Sequence, residues 1–278
     1  VALTTVWTAT AGDAVIRSGR DSDISANIQT ITSGQVSVVV GRTLSVATDK
    51  AWSSIAAMAI NTSSTMSGVI RISGVTGVTL VGPWVASGAI NVTSSDGAVV
   101  LHDDITTSGA SSNVYLASKA TSGVLNFTGT GNRTVTSAAT VTILSTTVAS
   151  GGARVIAAAG VTVTGIWTAT RALVIRSSSN NVTINSNIHM NGQTANDALE
   201  LEASSGVVKL GASRTLTSSK HMTLNATMIT ARTQCGLSAR AGTLSIEGQW
   251  SMSAGTLAAS ASSASLNGDI VVATSGDA

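Results

Sequence analysis

The sequence predicts an all-β protein that winds into a right-handed parallel β-helix, a form of β-solenoid. Three observations lead to this prediction: few aromatic and charged residues, short alternating runs on a step of about 21 residues, and a tandem repeat of about 80 residues. A coil of that length holds three short strands and their turns. We therefore expect about 13 coils of ~21 residues, in four-coil repeats, as one continuous solenoid over residues 1–278.

The composition favours a narrow core that is packed in thin layers. Aromatic residues make up 3% of the 278 residues and charged residues 10%, against roughly 25% charged residues in ordinary soluble domains. The apolar fraction is 43% and is mostly Val, Ile, Leu and Ala, whereas disordered chains are poor in such residues. Each coil is therefore expected to contribute a few small aliphatic side chains to the interior.

The long repeat is marked by tryptophan. Four of the five tryptophans recur at intervals of about 80 residues, and an acid or amide followed by Ile comes about 21 residues after each of them. A third phrase, R-T-[LV]-[ST], begins at Arg42, Arg133 and Arg214. These phrases divide the chain into repeats 1–77, 78–160, 161–243 and a partial 244–278, and four coils per repeat would align the tryptophans along one axis. The tryptophans are Trp7, Trp84, Trp167 and Trp250, and the dipeptides are Asn27-Ile28, Asp104-Ile105, Asn187-Ile188 and Asp269-Ile270.

Shorter signals indicate strands and turns rather than helices. Apolar and polar residues alternate in runs such as 182–184, 199–201 and 222–225, as they do in half-buried strands. Between the runs lie Gly, Ser, Asn and Asp clusters, including Asn191-Gly192, that favour tight turns. No window sustains a period of 3.6 residues.

Three stretches resemble the shafts of filamentous haemagglutinin-like and autotransporter-type exoproteins. They are V-V-L-H-D-D-I-T-T-S-G at 99–109, V-T-I-N-S-N-I-H-M-N-G at 182–192 and L-E-L-E-A-S-S-G-V-V-K-L-G-A-S-R-T-L-T at 199–217. The likeness spans most of the chain. It implies a right-handed β-helical shaft in a repetitive extracellular fibre, and it implies a fold more strongly than a function.

Charge and motif content exclude several function classes. The net charge is +2 from scattered single Lys and Arg residues, without the concentrated basic face that nucleic-acid binding needs. His102, His189 and His221 lack zinc-site spacing, and neither a phosphate-binding loop nor a Ca²⁺-binding Gly-Gly-x-Gly-x-Asp repeat occurs. Cys235 is the single cysteine and is expected to be a small buried apolar residue. We expect no cofactor, no metal and no membrane span.

Candidate catalytic acids are few. A polysaccharide-acting β-helix enzyme would need two carboxylates at fixed separation, and Asp21 with Asp23 or Asp103 with Asp104 are the available pairs. The segment at 102–104 aligns with Asn-Ser-Asn at 185–187, and a position that accepts Asn, Ser or Asp suits backbone hydrogen bonding. We therefore expect a non-enzymatic chain with no catalytic residues. Thr-x-Thr triplets raise a lesser alternative, an ice-binding face; they begin at Thr8, Thr134, Thr140, Thr162 and Thr168.

The remaining candidate site residues are the tryptophans and the glycosylation sequons. Trp7, Trp84, Trp167 and Trp250 are expected either to mark the repeat, at a wide corner or as an outward plate, or to stack against sugars. Six N-x-[ST] sequons are possible N-glycosylation sites if the protein is secreted by a eukaryote. They begin at Asn61, Asn91, Asn126, Asn132, Asn181 and Asn225.

These patterns together indicate a structural segment of a large extracellular or cell-surface filament. The expected partners are copies of itself or neighbouring repeats, end to end or side by side, because exposed strand edges tend to pair. The alternative is an adhesin shaft that binds glycans through a tryptophan-bearing face. Exposed indoles beside polar residues would favour the adhesin, and buried indoles would favour the spacer.

Overall fold

The computed structural model describes residues 2–47, 49–120, 123–192, 197–252 and 256–272. The chain is an all-β parallel β-solenoid of about 12 turns with about 21 residues per turn, which confirms the predicted fold class. Within the described ranges the regular elements are all strands, and none of these residues forms a helix that could span a membrane. The chain divides into two compact units, Val1–Thr128 with Arg133–Thr146 and Gly129–Asn132 with Thr147–Ala278.

In the first unit each turn adds one strand to each of three parallel ladders, called A, B and C. Two long strands, β6 (Val36–Val46) and β8 (Ala57–Met66), bend round a corner and pass from ladder C into ladder A. Ladder A otherwise contains β1 (Ala2–Leu3), β4 (Ser22–Ile24), β11 (Trp84–Ala86), β14 (Ile105–Thr107) and β17 (Arg133–Ser137). Ladder B contains β2 (Trp7–Ala9), β5 (Ile28–Thr30), β7 (Lys50–Ser54), β9 (Ile70–Gly74), β12 (Ile90–Ser94), β15 (Val114–Ser118) and β18 (Thr140–Leu144). Ladder C otherwise contains β3 (Ala14–Ser18), β10 (Gly77–Val81), β13 (Ala98–Leu101) and β16 (Val124–Phe127).

The second unit is built in the same way from ladders D, E and F. Ladder D contains β19 (Thr146–Ala149), β22 (Trp167–Ala169), β25 (Ile188–Met190) and β27 (Arg214–Ser218). Ladder E contains β20 (Ala153–Ala157) and β23 (Leu173–Ser177), and ladder F contains β21 (Gly160–Thr164), β24 (Val182–Ile184) and β31 (Ile270–Val272). Four long strands turn corners and join more than one ladder: β26 (Ala198–Leu210), β28 (His221–Ala231), β29 (Cys235–Met252) and β30 (Leu257–Asn267).

The alternating sequence pattern produces the core. Successive side chains of a strand point to opposite faces, so every second residue enters the interior. Because the ladders are in register, each inward residue lies directly on its equivalent one turn away, at about the 4.8 Å strand spacing. Stacked aliphatic columns result, which agrees with the narrow core expected from composition. One column of ladder C, buried throughout, runs Ile16, Val38, Ile60, Leu80, Leu101 and Phe127.

The spacing from each marker tryptophan to the following Ile is one turn of the solenoid. The Trp and the Ile are Cα partners on adjacent strands in all four repeats. The backbone N–H of each Trp donates to the carbonyl oxygen of the acid or amide that precedes the Ile, at 2.8–3.0 Å. The pairs are Trp7 with Ile28, Trp84 with Ile105, Trp167 with Ile188 and Trp250 with Ile270.

The longer tryptophan period does not return to the same ladder within either unit. Trp7 lies in ladder B, and Ile72 of β9 occupies the equivalent position three turns later. Trp84 lies in β11, two strands after β9, and belongs to ladder A. Trp167 lies in ladder D, whereas Trp250 lies in ladder F. The sequence period therefore spans three turns and two further strands rather than four turns. The expectation that the indoles share one axis is wrong. The turns are unequal in length, for example 21 residues from Trp84 to Ile105 and 24 from Ile28 to Trp52, so one tryptophan period contains fewer than four turns.

Candidate functional site

The predicted acidic cluster at 102–104 is occupied by hydrogen bonds to the neighbouring turns. Asp103 Oδ2 accepts the backbone N–H of Gly82 at 2.9 Å, and Arg133 lies 3.6 Å from its other oxygen. Asp104 Oδ1 accepts the backbone N–H of Thr134 at 2.8 Å. His102 Nδ1 and Thr128 Oγ1 are 2.8 Å apart. The two carboxylates hold turns together, which agrees with the backbone-bonding interpretation of this segment.

The backbone of Gly82, which donates to Asp103, lies close to the backbone of the preceding turn. Its φ of +94° lies in the left-handed region that glycine favours. A Cβ at this position would collide with the backbone of Thr62 on the preceding turn. Asp103 therefore caps a turn that only glycine fits.

The R-T-[LV]-[ST] phrase has a shared structural role. In all three copies the apolar third residue is buried, and the backbone N–H of the Thr donates to a carboxylate or amide oxygen of the preceding turn. Each bond gives an acceptor to a backbone N–H where the chain leaves a corner, and it links that segment to the preceding turn. The three bonds are Thr43 to Asp21, Thr134 to Asp104 and Thr215 to Asn187, at 3.1, 2.8 and 3.0 Å.

The other predicted acidic pair is likewise engaged locally. Asp21 Oδ1 accepts from Thr43, as just described, and Asp23 Oδ1 accepts the hydroxyl of Ser25 at 3.2 Å. Asp23 is exposed on ladder A. None of these four aspartates lines either of the two grooves described below.

The tryptophans lie in the core. Trp84, Trp167 and Trp250 are 1%, 0% and 1% exposed, and Trp7 is partly exposed. A buried indole presents no face to a sugar ring, so glycan stacking and the outward plate do not fit these three residues. Trp52, which the repeat does not include, is also fully buried.

The buried indoles differ in how their N–H groups are satisfied. Trp52 Nε1 donates to the carbonyl oxygen of Ala26 at 3.1 Å. Trp84 Nε1 and Trp250 Nε1 are buried and have no hydrogen-bond partner among the described residues. Burying an unpaired donor costs free energy. The N–H groups of Trp84 and Trp250 therefore lower the stability of the fold, whereas the bonded N–H of Trp52 does not.

The six sequons occupy different environments. Asn61 and Asn132 are exposed, while Asn91, Asn126, Asn181 and Asn225 are partly exposed on outward-facing positions. Asn181 Oδ1 accepts the backbone N–H of Val207 at 3.0 Å, so a glycan on Asn181 would compete with a bond between turns. Asn61 and Asn132 are the most accessible candidates.

The Thr-x-Thr triplets do not form one flat array in either unit. In the first unit Thr134 belongs to ladder A and Thr140 to ladder B. In the second unit Thr162 belongs to ladder F and Thr168 to ladder D. Thr8 shares ladder B with Thr140 but lies six strands away along it, so the triplets do not line up as one surface.

Cys235 is buried, as expected, at the start of β29. Desolvation by burial raises the pKa of its thiol to about 12. The folded protein therefore keeps this thiol protonated and unreactive. No group of three or more His, Cys, Asp or Glu side chains that could hold a metal ion occurs in the described part of the chain.

One ion-pair cluster stands on the outer face of ladder E. The Arg176 guanidinium contacts Glu200 Oε1 and Glu202 Oε2, each at 2.6 Å. The hydrogen bond to Glu200 is the main cause that raises the pKa of Arg176, and Glu202 adds to it. Arg176 and Glu202 are Cα partners on adjacent turns, so the cluster links the turns.

A groove of about 640 Å³ runs along the outer face of ladder B in the first unit. We call it the tyrosine groove. Arg71, Asn91, Tyr115 and Thr142 stand in register on four successive strands, so their side chains project from the same column. Arg71 is exposed, and Asn91, Tyr115 and Thr142 are partly exposed, so the column borders solvent. The groove is lined by Ser53, Arg71, Asn91, Asn113, Tyr115 and Thr142, among others.

A second groove, of about 600 Å³, lies where ladder F ends and the chain turns toward ladder D. We call it the lysine–arginine groove. Lys209, Arg214 and Arg232 line it, together with Thr183, Asn185 and Thr230, and no lining residue is a carboxylate. Thr183, Lys209 and Thr230 are Cα partners on successive turns.

Sequence reasoning did not find either groove. The residues of each column lie about one turn apart along the chain. Lys209 and Arg214 fall within the phrase at 199–217, but no motif brings Thr183, Lys209 and Thr230 together. The signal exists only after the turn-to-turn register is known, because the register places Arg71, Asn91 and Tyr115 in one column. The unequal lengths of the turns hide that column in the sequence.

The fold and these grooves define a class, a parallel β-solenoid with polar outer grooves. Comparisons with family models, with curated proteins and with solved structures find no match to this chain.

Proposed function

We propose that this chain is a structural, non-catalytic segment of a large repetitive filament or fibre, at the cell surface or outside the cell. The observation that carries the proposal is that polar side chains at the corners form hydrogen bonds between turns. Asp and Asn side chains that could have formed a site instead accept backbone N–H groups of the adjacent turn. Such bonds reinforce the stacking of turns on which a load-bearing solenoid depends.

A shaft of the filamentous haemagglutinin-like or autotransporter type is the form that we favour. The repeated phrases at 99–109 and 182–192 support it, because each supplies a strand, a turn-to-turn Asn or Asp and a second strand. The phrase at 199–217 supplies two strands, and the backbone N–H of its Thr215 donates to Asn187 of the preceding turn. The near absence of cysteine is compatible with passage of an unfolded chain across a membrane. The exposed Asn61 and Asn132 are candidate glycan positions if the source is a eukaryote.

The expected partners are further turns, from a neighbouring repeat or from a second copy. Leu266 and Ile270 are 50% and 45% exposed, whereas their Cα partners one turn earlier, Ile246 and Trp250, are buried. Stacking another turn on this end would remove that apolar surface from water. It would also pair the open edge of β30.

Self-association of the purified chain tests this partner. Sedimentation velocity should show oligomers that grow with concentration, and Leu266→Glu with Ile270→Glu should shift the distribution toward monomer. Val85→Glu is the matched control, because Val85 is 45% exposed but lies on an outer face. Monomers at all concentrations, or an equal effect of Val85→Glu, would contradict end-to-end stacking.

Immunogold electron microscopy tests the filament proposal itself. Antibodies against this chain, applied to intact source cells, should label extended surface fibres at many positions along their length. Labelling confined to the cell interior, or to compact particles, would refute the proposal.

A second candidate function, glycan binding on the shaft, is favoured by the tyrosine groove. Tyr115 supplies an aromatic face, and Arg71 and Asn91 supply donors on the two preceding strands of the same column. Sugars are recognised by such combinations of a ring and flanking hydrogen-bond donors. A glycan array probed with the wild type and with Tyr115→Ala tests it, with Thr168→Ala on the outer face of ladder D as control. No retained glycan, or retention that is unchanged in Tyr115→Ala, would exclude this site.

A further inference from the structure

We propose that the lysine–arginine groove of the second unit is a binding site for an anionic polysaccharide, held through sulfate or carboxylate groups on the sugars. This inference goes beyond the structural role, since a shaft needs no ligand. It is also independent of the tyrosine groove, which lies in the other unit.

The charge of the groove is unusual for this chain. The whole sequence has 15 Lys and Arg against 13 Asp and Glu, so positive and negative residues nearly balance. Three of the cations nevertheless line this one groove, and none of its lining residues is acidic. A concave surface with one sign of charge concentrates ligands of the opposite sign.

Two of the cations are not neutralised by the protein. Lys209 and Arg214 have no carboxylate within ion-pair distance among the described residues, whereas Arg133 and Arg176 do. Lys209 is exposed, so its ammonium can reach a ligand, and Arg232 is exposed at the same groove. Arg214 is partly buried at the start of β27, and its Nε is enclosed without a hydrogen-bond partner.

The geometry suits an extended ligand. Thr183, Lys209 and Thr230 stand on three successive strands, so they span about 10 Å at the ~4.8 Å strand spacing. Gly211 forms part of the lining between Asn185 and Arg214 and carries no side chain. A Cβ there would lie 3.1 Å from Asn185 Oδ1 and 3.2 Å from Arg214 Nε, so glycine keeps this part of the groove open.

The uncharged lining favours a sugar chain over a nucleic acid. Thr183, Thr230 and Asn185 offer hydroxyl and amide groups that can exchange hydrogen bonds with sugar hydroxyls. Single-stranded nucleic acids are held by aromatic side chains on which the bases stack, and this groove has no aromatic lining residue. The combination of cations with short polar side chains therefore points to a charged glycan.

Isothermal titration of the intact chain at low salt tests the site. The probes are a sulfated octasaccharide, its chemically desulfated counterpart, an unsulfated uronate octasaccharide and a single-stranded oligonucleotide of similar charge. Lys209→Gln and Arg232→Gln should each weaken binding of the anionic sugar about fivefold to tenfold, because each removes a charge-assisted contact. Arg240→Gln is the matched control, since Arg240 is exposed in the same unit and does not line the groove.

The outcomes separate the possible ligands. Preference for the sulfated probe assigns sulfate recognition, and equal binding of the uronate probe assigns any anionic sugar; both support the proposal if the control variant binds normally. Tighter binding of the oligonucleotide, no binding of either anionic sugar, or equal weakening by Arg240→Gln would overturn it. Circular dichroism of each variant confirms that the solenoid is still folded.

Discussion

The two tryptophans Trp52 and Trp84 provide a sharp test of the packing account, because they are equally buried but differ in one hydrogen bond. Trp52 Nε1 donates to the Ala26 carbonyl oxygen at 3.1 Å, whereas Trp84 Nε1 has no partner among the described residues. Replacing either residue by Phe removes the same atoms. The two variants should nevertheless differ in their free energy of unfolding.

The magnitudes follow from the contacts. An indole exceeds a phenyl ring by roughly 40 Å³, and a cavity of that size costs ~1 kcal/mol at about 24 cal/mol per Å³. Trp52→Phe also removes a hydrogen bond worth about 1 kcal/mol, so it should destabilise by about 2 kcal/mol. Trp84→Phe removes an unpaired buried donor that costs about 1–3 kcal/mol, which offsets the cavity. Trp84→Phe should therefore be neutral or slightly stabilising.

Guanidinium unfolding, followed by far-ultraviolet circular dichroism, measures the difference without relying on tryptophan fluorescence. The denaturant midpoint should fall for Trp52→Phe and stay the same or rise slightly for Trp84→Phe, with similar slopes for both. Equal losses, or a larger loss for Trp84→Phe, would refute the assignment of hydrogen bonds to the two indoles.

Three further predictions follow from the turns and the thiol. Asn187→Ala should destabilise by about 1 kcal/mol in urea unfolding, while Asn187→Asp, which keeps the oxygen that accepts from Thr215, should lose under half of that; equal losses would contradict the turn-to-turn bond. Gly82→Ala should cost more than about 2 kcal/mol, because φ is +94° and the added Cβ meets the Thr62 backbone, whereas Gly131→Ala, with open space around it, should be close to neutral; a tolerated Gly82→Ala would argue against this turn. Cys235 should resist a thiol reagent at pH 8 until the protein unfolds, and rapid labelling of the native protein would contradict its burial. The free energy of unfolding should fall as the pH rises from 9.0 toward 12, because the folded state disfavours the thiolate.

The fold was accessible from the sequence because stacking in register leaves a direct trace. A residue and its partner on the next turn are separated by one turn length, so the Trp-to-Ile spacing of about 21 residues reports the turn itself. The role of Asn187 and Asp104 was also accessible, since positions that exchange Asn and Asp suit backbone bonding. Alternating runs indicated which residues face inward.

The position of the tryptophans around the solenoid was not accessible. The tryptophan period of about 80 residues is close to four turns of about 21 residues, and the sequence does not reveal which turns are longer. Asn113 follows Asn91 by about one turn length in the sequence, yet the strand partner of Asn91 is Tyr115. Such irregular turns shift the ladder on which a repeated residue falls, and they also concealed both outer grooves.

Paired spin labels measure the central claim, that successive turns stack in parallel register. Val85 and Thr106 are Cα partners on outward-facing positions of adjacent turns of ladder A, so labels on both should lie within about 10 Å and give strong dipolar broadening at room temperature. Val85 with Val15 is the control, because Val15 is equally exposed but lies on ladder C several turns away. Broadening in the Val85–Thr106 pair alone is the result we predict. Narrow spectra for that pair, or equal broadening in both pairs, would contradict the stacked solenoid.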